Sequence, residues 1–101
     1  MKYKIVFTPG AKEDLRNAAI WYNKQRKGLG KDFVKRIRER AAEIQDLPLS
    51  CQIRYKDIHT AVIEQFPYMM HYWVNEDNKT IYIITILHTS QDPNKWNDDL
   101  E

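Results

Sequence analysis

The side chains in this 101-residue chain best suited to handle protons and phosphate are His88, Arg54, Lys56 and the tyrosines Tyr68 and Tyr72. Metal-free cleavage of RNA needs a base for the 2′-hydroxyl, an acid for the leaving 5′-oxygen and cations for the phosphate, and His, Lys, Arg and Tyr can fill those roles. His88 has the strongest claim, because imidazole titrates near physiological pH and His88 closes an apolar run that reads as a strand. The competing reading of His88 is a strand-end ring bonded to a backbone carbonyl. His59 and His71 have no Cys, acid or second His at ligand spacing on their own elements, so neither a metal nor a cofactor is expected. Cys51 is the single cysteine, too few for an internal disulfide, a zinc knuckle or a redox pair. No phosphate-cradling Gly loop, Ser nucleophile motif or dinucleotide fingerprint occurs, so small-molecule catalysis is not indicated.

A second kind of chemistry is electrostatic. The net charge of +2 conceals two unlike halves: residues 1–56 carry 14 Lys/Arg against 6 Asp/Glu, whereas residues 57–101 carry 2 against 8. Between Lys24 and Arg40 eight basic residues are opposed only by Asp32 and Glu39. Such a segment is either a solvated face whose long stems cover apolar surface or a docking surface for an acidic protein or nucleic acid.

These residues must be held by ordered elements, and the pattern supplies them. Tyr3, Ile5 and Phe7 alternate as a strand does. Thr8-Pro9-Gly10 stops it, with Thr8 placed to cap a helix and Pro9 at its first position. Ala11, Leu15, Ala18, Ala19 and Tyr22 then recur at helical spacing up to Arg26 or Lys27, with Glu13 and Asp14 in early turns where the helix dipole favours acids. Gly28-Leu29-Gly30 reads as a turn before a second helix carrying Phe33, Ile37, Ala41 and Ile44 and ending near Leu47, since Pro48 disfavours helix in the residue before it. Lys27, Lys31, Arg38 and Lys35 fall on the side away from those apolar positions.

Beyond Pro48 the segments 52–55, 58–66, 68–75 and 80–88 read as strands, the last two joined by a polar turn at 75–79. The run Ile81 to Leu87 is apolar on both faces, which suits a central strand, and the first strand can pair with it in parallel through the helical crossover. The expected fold is a single two-layer α+β domain over residues 1–101: an N-terminal strand and a two-helix hairpin packed on a mostly antiparallel sheet of about four strands, with residues 97–101 a frayed acidic tail. No apolar run approaches the roughly 20 residues of a membrane span, and no secretory signal is present, so a cytoplasmic protein is expected.

Taken in order, Ala11, Asp14-Leu15, Ala18, Trp21-Tyr22, Gly28-Leu29-Gly30, Phe33, Pro48, Arg54-Tyr55, Phe66-Pro67-Tyr68, Tyr72, Ile86-Leu87-His88, Asp92-Pro93 and Trp96 resemble the RelE/ParE toxin superfamily over nearly the whole chain, on its ParE-like, plasmid-stabilisation branch. The resemblance implies a bacterial growth inhibitor neutralised by a cognate antitoxin, with operator DNA bound only through that partner and no membrane involved. It implies DNA gyrase as the target of a ParE-like member, bound rather than chemically altered, and places target contacts at His88, Gln91, Asp92 and Trp96. Trp96 could instead pack over the core edge, following Asp92-Pro93 in a closing turn.

For a RelE-like member the implication is ribosome-dependent cleavage of messenger RNA, for which His88, Arg54, Lys56 and Tyr72 are the available catalytic groups. Antitoxins of the superfamily are acidic and fold on their toxins, which suits Lys27, Lys31, Lys35 and Arg38 as antitoxin contacts. The chain departs from the ParE-like pattern at His59 and Gln91, where Arg is common, and at Glu64 and Gln65, where basic residues are common. Those departures admit a third reading, a detoxified module that retains antitoxin binding.

Overall fold

A computed structural model describes residues 3–89 as a five-stranded sheet with two helices. The elements are β1 (Lys4–Phe7), α1 (Pro9–Gln25), α2 (Leu29–Asp46), β2 (Ile53–Tyr55), β3 (Ile58–Val62), β4 (Tyr68–Asn75) and β5 (Thr80–His88). The sheet order is β1-β5-β4-β3-β2, with β1 parallel to β5 and every other pair antiparallel. The expected α+β architecture is therefore present, and the segments after Pro48 form four strands. Gln91, Asp92, Trp96 and residues 97–101 lie outside the described residues.

Thr8 joins the first strand to the first helix and both to the sheet. Its side chain accepts from Ala11 N as the N-cap of α1, while its hydroxyl donates to the carbonyls of Ile83 and Ile84 at 3.1 and 3.2 Å. The two glycines of the hairpin are needed for different reasons. Gly28 precedes α2 at φ 89°, a left-handed conformation that side chains resist. Gly30 lies inside α2 rather than in the turn, and a Cβ there would meet the Ala19 carbonyl oxygen at 2.2 Å and the Asn23 side chain at 2.8 Å. The absent side chain lets the helices touch, and Asn23 Oδ1 accepts from Gly30 N at 2.8 Å.

The buried face of α2 is Phe33, Ile37, Ala41 and Ile44, meeting Ala11, Ala18 and Tyr22 of α1 over Ala61, Met70, Tyr72, Ile81, Ile83 and Ile86 of the sheet. β3 ends at Val62, earlier than the expected Phe66. Beyond it the chain turns through Gln65 at φ 74°, buries Ile63 and Phe66, and returns when Ile63 N donates to Tyr68 O. Pairing of β4 with β5 slips between His71 and Tyr72, whose partners are Thr85 and Ile83. The extra residue in β5 changes which face later side chains meet. Ile86 consequently joins Ile81 and Ile83 in the core, and His88, opposite Tyr68, lies at the helix-side end of the sheet.

Candidate functional site

The helix hairpin and the β3–β4 loop enclose two open clefts separated by a ridge of Tyr22 and Pro67, which line both. The first, about 520 Å³, has Phe66 and Leu29 in its walls and Arg26, Lys35 and Arg36 around it, countered by Asp32 and Glu39. Arg36 Nη1 reaches Glu39 Oε1 at 3.3 Å, a solvent-facing pair of small energetic weight. The second, about 500 Å³, is walled by Trp21, Tyr68 and His88. Its walls rest on a ring cluster: Tyr22 meets Phe33, Phe66 and Tyr68 at centroid distances of 5.3, 5.1 and 6.0 Å, and Tyr68 meets His88 edge-on at 5.3 Å. Burial raises the phenol pKa of Tyr22 and of Tyr68, and the Asp14 carboxylate raises that of Tyr68 further.

The structure brings only Tyr68 of the other nuclease candidates to His88, and it does not gather His88, Arg54, Lys56 and Tyr72. His88 ends β5 opposite Tyr68, at the start of β4. Tyr72 is four residues along β4, completely buried, and its hydroxyl donates to the Pro48 carbonyl at 2.8 Å. Burial, more than any neighbouring group, raises its pKa. Lys56 sits at φ 41° in the turn joining β2 to β3, beside Asp57 at φ 65°. Because His59 pairs with Tyr72, that turn is at the other end of the sheet from His88, on the order of 20 Å away by strand geometry. Arg54 belongs to β2, three strand positions from β5.

The cationic residues expected to meet an antitoxin are better grouped. Lys31, Lys35 and Arg38 are exposed on one face of α2 and line an open cleft with Val34 and the acidic Asp32 and Glu39. Lys27 is exposed in the connection just before the helix. Arg40 instead braces the fold, its guanidinium donating to the Val62 carbonyl at 3.1 Å and to Cys51 Sγ at 3.4 Å. His59 is also structural, stacked on Tyr72 at 5.0 Å with Nδ1 2.7 Å from the Cys51 carbonyl oxygen. His71 is buried with Nδ1 2.9 Å from the Tyr55 hydroxyl. Among the described residues, no three His, Cys, Asp or Glu side chains group as a metal site.

Two residues to which the sequence analysis gives no part in a site, Asp14 and Trp21, line the clefts. Asp14, expected to compensate the helix dipole, instead accepts from the Thr85 hydroxyl at 2.6 Å and from Ile86 N at 3.1 Å. Trp21 is 54% exposed and walls the aromatic cleft. The signal for Asp14 is its position one turn before Ala18 on the buried side of α1, which only a known pairing of α1 with β5 converts into a contact.

The sequence profile of a family described as "ParE toxin of type II toxin-antitoxin system, parDE" matches residues 5–93. A comparison with curated protein sequences gives no match. Among solved structures, the fold resembles a chain of the chromosomal ParDE toxin-antitoxin system from P. aeruginosa, with TM-score 0.75 and 19% identity, covering 86% of this chain and 96% of that one. It also resembles a chain of the intact E. coli RelBE toxin-antitoxin complex, with TM-score 0.65 and 16% identity over 83% and 93% of the two chains. The isolated E. coli RelE toxin gives TM-score 0.67 and 14% identity over 97% and 96%. At these identities the likeness is one of fold.

Proposed function

The chain belongs to the family of ParE toxins of type II toxin-antitoxin systems, and on that premise we propose that it is a cytoplasmic growth inhibitor, neutralised by a cognate antitoxin, that acts when released by binding DNA gyrase. The observation that favours binding over RNA cleavage is that, of the nuclease candidates, only Tyr68 accompanies His88. Lys56 is at the far end of the sheet from His88, and the hydroxyl of Tyr72 is buried and engaged. Acid, base and phosphate-binding groups must converge on one phosphate to cleave RNA, and this arrangement does not bring that set together.

The antitoxin contact is assigned to Lys31, Lys35 and Arg38, continued by Lys27, because their shared exposed face suits an acidic segment that folds on binding. Target contact is assigned to His88 and, beyond the described residues, to Gln91, Asp92 and Trp96. The departure at His59 is consistent with this placement, since His59 is 6% exposed and held by Cys51 and Tyr72. A target is then met elsewhere than at position 59.

The test is to induce this chain alone in bacteria and to pulse-label DNA and protein synthesis in the first minutes, beside a His88→Ala variant. An early fall in DNA synthesis, accompanied by direct binding of the purified chain to gyrase, is the expected result. An early fall in protein synthesis abolished by His88→Ala would instead establish the ribosome-dependent RNase. No effect on either, with folded protein present, would establish a detoxified antitoxin-binding module.

A further inference from the structure

We infer that the aromatic cleft between α1 and the β4–β5 end of the sheet is a receptor for a cationic side chain, specifically an arginine presented by a partner protein. A smaller cleft of about 290 Å³ adjoins the aromatic one and shares Trp21 and Tyr68 with it, and Asp14 and Asn17 complete its polar lining. No Lys or Arg lines either cleft among the described residues. A carboxylate thus sits beside two aromatic walls, next to a helix hairpin whose other cleft is ringed by Arg26, Lys35 and Arg36.

The carboxylate is anchored through one oxygen beside the cleft it lines. Both hydrogen bonds from β5, from Thr85 Oγ1 and Ile86 N, go to Asp14 Oδ2. They fix the group against the sheet and leave Oδ1 to accept from a ligand. A guanidinium is planar, stacks on Trp and Tyr faces and donates in a fork to carboxylate oxygens, so the rings and Asp14 offer its two preferred contacts in one place. An acidic side chain would face the Asp14 charge, and a purely aliphatic one would leave Oδ1 without a donor. The Tyr22–Pro67 ridge thereby separates a cleft of mixed charge, Arg26, Lys35 and Arg36 with Asp32 and Glu39, from the proposed site for a cation.

The proposal is tested by titrating isotopically labelled protein with N-acetyl-L-arginine amide and, separately, with the glutamate and norleucine amides, following backbone and indole N–H resonances. The arginine compound is expected to give saturable shifts at the Trp21 indole and at Asp14, Tyr68 and His88. Binding is expected to weaken roughly fivefold or more in Trp21→Ala and in Asp14→Asn. Trp21 is exposed, and Asn retains an oxygen for Thr85 and Ile86, so both variants keep the fold, as the same spectra verify. Absence of saturable shifts, equal response to glutamate or norleucine amide, or unchanged arginine binding by folded Trp21→Ala and Asp14→Asn would each overturn it. None of these outcomes depends on which macromolecule the toxin inhibits.

Discussion

Asp14 illustrates how one side chain can set the position of a helix. β1 ends opposite Ile83, so among the described residues β5 continues past it toward His88 without a neighbouring strand on that side. The Ile86 N–H there would lack an acceptor, and Asp14 from α1 supplies one while also taking the Thr85 hydroxyl. Removing the acceptor leaves a part-buried donor unsatisfied. Asp14→Ala is expected to cost about 2 kcal/mol in urea denaturation, and Asp14→Asn roughly half as much, since an amide oxygen can replace the carboxylate at Oδ2. Equal stability of Asp14→Ala and the unaltered protein would show that water satisfies Ile86 N as well as Asp14 does.

Among the elements, the hairpin of α1 and α2 depends on two glycines for separable reasons. Gly30→Ala drives a methyl group into the Ala19 carbonyl, with rigid backbone on both sides, and is expected to lose about 2–3 kcal/mol. Gly28→Ala meets no atom within 4 Å but must hold φ 89°, and about 1 kcal/mol is expected from that strain. Thermal denaturation of the two variants should rank them in that order. Sequence spacing locates both helices because apolar periodicity reports burial directly. It places Gly30 in a turn because Gly-Leu-Gly reads locally as a break, whereas the actual cause is a neighbour eleven residues earlier. The same limit applies to the nuclease set. Arg54, Lys56, Tyr72 and His88 have suitable chemistry, but their distances depend on strand order and register. The basic face of α2 is legible since three of its members lie on one helix, where spacing alone fixes the face.

Across the molecule, burial holds four phenols in their protonated form. Burial raises the pKa of Tyr55 to about 12 and also raises those of Tyr22, Tyr68 and Tyr72 above the ordinary value of 10.0. A folded pKa above the unfolded one means that the unfolded state releases protons first as pH rises. The stabilisation is complete below the unfolded value of about 10 and is lost as pH climbs through the folded values. Near-ultraviolet absorbance should therefore show late tyrosine ionisation, coincident with cooperative unfolding above that point. Tyr55→Phe should remove the component near 12. Ionisation of Tyr22, Tyr55, Tyr68 and Tyr72 near their ordinary value in the folded protein would contradict the burial of these rings.

The parallel pairing of β1 with β5 also fixes an order of assembly. Lys4 lies beside Thr80, so β1 meets its neighbour only after the intervening helices and strands have been synthesised. Closing so long a loop makes this contact slow to form relative to the local helix hairpin. β5 separates β1 from β4, and without it neither strand can reach the other. A chain interrupted before residue 80 can form the hairpin but cannot complete the sheet beneath it, so abortive products of synthesis are expected to be misfolded fragments rather than shortened toxins.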